Sequence, residues 1–69
     1  MEHELARMIS ARRKALSITR AELSNISGIS HRTIDSIERG EGNPTISVLM
    51  RLMKPLGLKL VADDRIKYV

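Results

Sequence analysis

Residues 19–40 read TRAELSNISGISHRTIDSIERG. Thr19 is a good helix N-cap, and Glu22 follows it by three residues. Together they form a capping box: the Thr19 hydroxyl accepts from the backbone N–H of Glu22, and the Glu22 carboxylate reaches back to Thr19. The spacing predicts a helix from about residue 20 to 27 that buries Ala21, Leu23 and Ile26. Gly28 then supplies the left-handed residue that ends the helix at no steric cost. Ile29 is apolar, and Ser30 is a second N-cap. A further helix runs from about His31 to Arg39 and stops at Gly40. Two short helices are thus joined by a tight turn, "SGIS", with glycine at its pivot.

The second of these helices has two unlike faces. At about 100° per residue, His31, Asp35, Arg39, Arg32 and Ser36 fall within an arc of roughly 140°. Ile34 and Ile37 lie opposite, with Thr33 near the boundary. One face anchors the helix and the other is free. A solvated, salt-bridged surface needs no more than this. The same face also suits base edges in a DNA major groove: Arg32 donates in a fork to guanine O6 and N7, and His31 donates or accepts according to tautomer. Ser36 bonds several base edges, while Asp35 accepts from cytosine N4 or orients Arg32 or Arg39.

Outward from this core, residues 2–16 contain no helix breaker. Leu5, Met8, Ile9, Ala15 and Leu16 make a loose apolar stripe there. After Gly40, "EGNP" is a loop. Thr45 caps a fourth helix with Ile46, Leu49, Leu52, Met53 and Leu56 on its apolar face. Pro55 removes a donor and crowds the preceding turn, so that helix kinks or ends before Gly57. Leu58, Leu60 and Ala62 alternate with Lys59 and Val61, which reads as a short strand. A lone strand needs a partner. Either Asp63-Asp64 turns the chain back so that residues 65–69 supply it, or another protomer does. The organisation is a helical domain over 1–57 and a C-terminal strand or tail over 58–69.

The whole chain has 69 residues, room for one domain and one small core. It has no cysteine, which excludes disulfides, thiolate nucleophiles and cysteine-ligated zinc, and is compatible with a cytoplasmic protein. No apolar run approaches the roughly 20 residues of a membrane span, and MEHELARMIS is not a signal peptide. Twelve Lys and Arg against eight Asp and Glu leave a net charge of +4, suited to a polyanion. Tyr68 is the only aromatic residue, so the stacking platform of a single-strand binder cannot be built. Duplex DNA is the better match. Enzyme chemistry has little support. His3 and His31 lie far apart, no spaced ligand set marks a metal or cofactor site, and Asp63-Asp64 reads as a turn.

The chain resembles the lambda-repressor-like, XRE-type helix-turn-helix family over about residues 5–60, with most of the motif in 17–60. Its pattern is roughly L-T-Q-x-E-L-A-x-x-x-G-V-S-x-x-T-I-S-x-I-E-x-G, followed by N-P-x-x-x-T-L-x-x-L-x-x-A-L-G. Ile18, Thr19, Glu22, Leu23, Gly28, Ile29, Ser30, Thr33, Ile34, Ile37, Glu38 and Gly40 match the first part. Asn43, Pro44, Leu49, Leu52, Leu56 and Gly57 match the second, and "ARRKAL" looks like the family's first helix. The resemblance implies four or five packed helices, with His31, Arg32 and Ser36 at base-reading positions. It places Thr33, Arg39 and Asn43 at phosphates, together with the start of the second helix, where Arg20 also reaches one. It further implies an ion pair between Arg13 and Glu38, partly buried, that ties the first helix to the end of the third.

Three positions depart from the pattern. Arg20 replaces the usual glutamine and loses that amide's directed contact to the recognition helix. Ser17 replaces the usual glycine after the first helix. "LKLVADDR" replaces the usual fifth helix and resembles HipB-like antitoxins, whose C-terminal strands pair across a dimer. Two functions are therefore expected. One is a homodimeric repressor of double-stranded DNA, joined through the strand Leu58–Ala62. The other is an antitoxin that restrains a HipA-like kinase toxin. Arg7, Arg12, Arg20, Arg39, Arg51 and Lys54 are candidate backbone contacts.

Overall fold

The computed structural model describes residues 3–62 and 66–69. Four helices follow one another: α1 (His3–Ala15), α2 (Arg20–Ser27), α3 (His31–Glu38) and α4 (Ile46–Met53). A short 3₁₀ helix (Lys54–Leu56) and two strands, β1 (Leu60–Ala62) and β2 (Ile66–Tyr68), complete the order.

Local chemistry sets the boundaries. Thr19 accepts from the Glu22 N–H at 3.0 Å, and Glu22 Oε1 accepts from the Thr19 N–H at 3.0 Å, so the capping box is complete. Those bonds from Thr19 hold the Glu22 carboxyl below its ordinary range. Ser30 and Thr45 cap α3 and α4 in the same manner, accepting from the N–H of Thr33 and Val48. Gly28 is left-handed with φ 74°. Ser17 also is, with φ 57°, at the position where the family pattern has glycine. The turn after α1 is closed by backbone hydrogen bonds: Ser17 N–H donates to Lys14 O and Ile18 N–H to Arg13 O. Pro55 ends α4 by tightening it into the 3₁₀ turn, which closes on left-handed Gly57.

The core is aliphatic. Ile9, Leu23, Ile34, Ile37, Leu52, Met53 and Leu56 are fully buried, with Leu5, Ile29 and Leu49 beside them. Several expected core residues lie outside it. In α2 the inward row is Leu23 and Ser27, one turn apart, so Ala21 and Ile26 are exposed. Ser27 is tolerated there because its hydroxyl accepts from the Ile29 N–H at 3.1 Å. In α1 the row Leu5, Ile9, Arg13 faces inward, which leaves Ala15 and Leu16 exposed. In α4 Leu49, Leu52 and Met53 face inward and Ile46 does not.

The C-terminal strand finds its partner in its own chain. β1 and β2 are antiparallel, with Leu60 opposite Tyr68 and Ala62 opposite Ile66. Lys59 and Val69 extend the ladder by exchanging backbone hydrogen bonds. Leu58 precedes the strand, its N–H donating to Met53 O. The proposed Asp63-Asp64 turn lies outside the described residues.

Candidate nucleic-acid interface

Ile34 and Ile37 are buried on one side of α3 and hold it against the core. The opposite side presents the polar residues in two groups. His31 and Arg32, in the first turn, are exposed. Neither makes a side-chain hydrogen bond or ion pair among the described residues. Their donors are uncommitted. Ser36 is half-buried on the same side.

The second group is neutralised within the protein. Asp35 Oδ2 accepts from Arg39 Nη1 at 2.9 Å, one turn along the helix. Its other oxygen lies 3.6 Å from Arg20 Nε. Arg39 Nε also donates to Glu41 at 3.1 Å. The bond to Glu41, then the charges of Glu41 and Asp35, keep Arg39 more firmly protonated than a free arginine. Asp35 therefore orients Arg39, one of the two roles its position allowed.

Beneath this surface lies a three-residue ionic joint. Arg13 clamps Glu38 in a fork, Nε to Oε2 at 2.7 Å and Nη2 to Oε1 at 2.9 Å, while its Nη1 donates to Ile18 O at 3.0 Å. Arg20 Nε adds a bond to Glu38 Oε1 at 3.2 Å. The Glu38 side chain is only 2% exposed. Its burial opposes ionisation, but the hydrogen bond and charge of Arg13, with those of Arg20, outweigh that and hold the carboxyl below its ordinary value. Arg20 thus restores the contact from α2 to α3, using a charge in place of the amide.

A shallow groove of about 340 Å³ runs between α3 and the loop 41–44. Arg32, Thr33, Ser36 and Asn43 line it, with Glu41, Gly42, Pro44 and Ile37. The loop is pinned to the helix by the Glu41 N–H, which donates to Ser36 O at 3.0 Å, and Gly42 is left-handed with φ 74°. Two expected base readers and two expected phosphate contacts thus share one concavity. His31, Asp35, Arg39 and Arg20 lie outside it. Sequence reasoning missed Glu41 as the counter-charge of Arg39; the signal was an acid directly after the helix stop at Gly40.

Other arginines are tied to backbone. Arg12 Nε donates to Leu56 O at 2.8 Å, and Arg51 Nη2 donates to Ser27 O at 3.2 Å and Gly28 O at 3.4 Å. Arg51 therefore holds the glycine turn between α2 and α3. Among the described residues no group of three or more His, Asp or Glu is placed to hold a metal ion. No described helix is long and apolar enough to cross a membrane.

Two short helices about a glycine turn, braced by α1 and α4, define a lambda-repressor-like helix-turn-helix domain. The chain belongs to the helix-turn-helix family, whose model matches residues 9–62. It is similar to a protein of Haemophilus influenzae described as an uncharacterized HTH-type transcriptional regulator, with 38% identity over 48 residues. That match covers 70% of this chain and 49% of the relative, so it spans about half the relative's length.

Proposed function

We propose that the chain is a DNA-binding transcriptional regulator that reads the major groove of duplex DNA with α3. The observation that carries this reading is the division of the α3 surface. His31 and Arg32 are exposed with uncommitted donors, beside a groove that also holds Thr33, Ser36 and Asn43. Free donors at the opening turn of a helix are what base edges require, and the groove sets hydroxyl and amide side chains beside them for the phosphates. In the proposed complex His31, Arg32 and Ser36 meet base edges, with Asp35 orienting Arg39 beside them. Thr33, Arg39, Asn43 and Arg20 meet phosphates. The name of the Haemophilus influenzae relative supports the same class.

The regulator acts as a repressor and as a homodimer. Two copies of α3 about 34 Å apart then enter successive major grooves of a palindromic operator. Among the described residues each strand of the β1–β2 pair has one partner, so an edge stays available for pairing with the second protomer. That C-terminal hairpin also supports the second reading, an antitoxin of HipB type that restrains a HipA-like kinase toxin.

Selection from a pool of random duplexes, followed by footprinting of the winners, tests the proposal. Enrichment of one motif with two half-sites a helical turn apart supports the dimeric regulator. No enrichment after repeated rounds refutes DNA reading.

A further inference from the structure

The turn between α2 and α3 is tied at each carbonyl from Ser27 to Ile29. Gly28 N–H donates to Ser24 O at 2.9 Å, and Ile29 N–H donates to the Ser27 hydroxyl at 3.1 Å. The Ser24 hydroxyl donates to Ile29 O at 2.6 Å. These three bonds are local to the turn. The other two carbonyls, Ser27 O and Gly28 O, both accept from Arg51 Nη2, at 3.2 and 3.4 Å. Arg51 belongs to α4. In this set of bonds it is the tie that comes from outside α2 and α3.

The chemistry suits the place. The carbonyl end of a helix carries partial negative charge, and α2 has no basic residue in its own last turn. Arg51 supplies the cation from α4, a helix anchored in the core by Leu49, Leu52 and Met53. Gly28 makes the approach possible, because an added Cβ there would stand 2.6 Å from Arg51 Nη2. The glycine thus serves both the left-handed turn and the space the guanidinium occupies.

The tied turn leads straight into the free donors of α3. Buried Ile29 and the cap Ser30 are the two residues between Gly28 and His31. The short helix α3 is therefore held by arginines of other helices at both ends: Arg51 through the turn before it, and Arg13 through Glu38 in its last turn. Any shift of the turn carries His31 and Arg32 with it, and hydrogen bonds to base edges weaken steeply with misalignment.

We infer that Arg51 is a positioning residue for base reading: it stays on the turn and fixes where His31 and Arg32 point. This rests on the proposed reading of duplex DNA by α3. It takes the place of the phosphate contact expected of Arg51 from the sequence.

The test uses the full chain, the duplex enriched by selection and a scrambled duplex, titrated at several salt concentrations. Arg51→Met is expected to lose at least about tenfold of the wild-type preference, the worth of one displaced base contact. Its salt slope stays that of the wild type, because no phosphate contact is removed. Arg51→Lys restores much of the preference. Ile9→Val, which loosens the core away from the turn, keeps it. In the free protein, the backbone amide NMR signals of Ile29 to Arg32 move in Arg51→Met and not in Ile9→Val. A wild-type preference that survives Arg51→Met, or amide signals that do not move, overturns the inference while DNA reading stands. Equal weakening on both duplexes with a salt slope lower by about one also overturns it, because Arg51 is then a phosphate contact. A wild type without preference overturns the reading by α3 and this inference together.

Discussion

Arg13 and Glu38 meet through two parallel hydrogen bonds of 2.7 and 2.9 Å, and that fork fastens α1 to the last turn of α3. The joint is buried, and Arg20 of α2 closes it from the outside at 3.2 Å. Three helices thus converge on one carboxylate. The orientation of α3 relative to the rest of the domain depends on a contact beneath its exposed face, linked to Asp35 of that face through Arg20.

Removing one partner strands the other charge in the core. Glu38→Ala is expected to cost about 3–5 kcal/mol in urea unfolding, comparable with the entire stability of so small a domain. Replacing both partners, Arg13→Met with Glu38→Leu, recovers most of that loss. A double variant no more stable than Glu38→Ala would show that the fork itself, rather than the stranded charge, dominates. The pH dependence has a definite sign. The folded carboxyl titrates below its ordinary value of 4.5, so its stabilising contribution is present above that value. Stability falls as pH drops from about 4.5 through the lower folded value, and Glu38→Gln flattens this limb of the acid denaturation curve.

Ser17 and Gly28 hold the same left-handed backbone, at φ 57° and 74°, with different residues. Ser17→Gly relieves a strain of roughly 1 kcal/mol and raises the melting temperature, offset in part by greater freedom of the unfolded chain. Gly28→Ala does the reverse by more than about 1 kcal/mol. Its added Cβ would also stand 2.6 Å from Arg51 Nη2, forcing that side chain off the turn. Thermal unfolding of the two variants should give shifts of opposite sign.

The α2 cap is a separate, smaller contribution. Thr19→Ala removes the acceptor of the Glu22 N–H and is expected to cost about 1 kcal/mol. Hydrogen exchange should rise first at the amides of the opening turn of α2. Unchanged exchange there would mean that packing of Leu23, rather than the cap, sets the start of the helix.

The elements bounded by local chemistry were legible in the sequence. Thr19, Ser30 and Thr45 cap the three helices they precede, and Gly28 ends α2, because caps and left-handed residues depend on only a few neighbouring atoms. Facing was less legible. An eight-residue helix has about two turns, too few for periodicity to choose between the Leu23–Ser27 row and one through Ile26. Ser27 succeeds inside only through its bond to the Ile29 N–H, which no apolar pattern encodes. The Arg13–Glu38 pair came from family resemblance alone, since its partners lie 25 residues apart. The chemistry of the α3 face was legible residue by residue. Its division into free and paired halves was not, because Glu41 and Arg20 reach it from a loop and another helix.

That division bears on affinity. On the proposed reading, Glu41, which pairs with Arg39 at 3.1 Å, competes with a phosphate for it. Glu41→Gln is therefore expected to strengthen binding to any duplex about a few-fold, while leaving sequence preference unchanged. Anisotropy titrations on unrelated duplexes check this, and weaker binding would place Arg39 away from the backbone.

The central claim, that the first turn of α3 reads bases, is tested most directly by fluorescence anisotropy on a duplex from the gene's own upstream region. A scrambled duplex is run beside it at several salt concentrations, for the wild type, Arg32→Ala and Arg39→Ala. The account predicts that the wild type prefers the native duplex by about a thousandfold or more, and that Arg32→Ala loses about 1–3 kcal/mol of that preference. Arg39→Ala weakens both duplexes alike and lowers the salt slope by about one. Equal, salt-sensitive binding of the wild type to both duplexes would contradict the claim, leaving only the attraction of a basic surface for a polyanion.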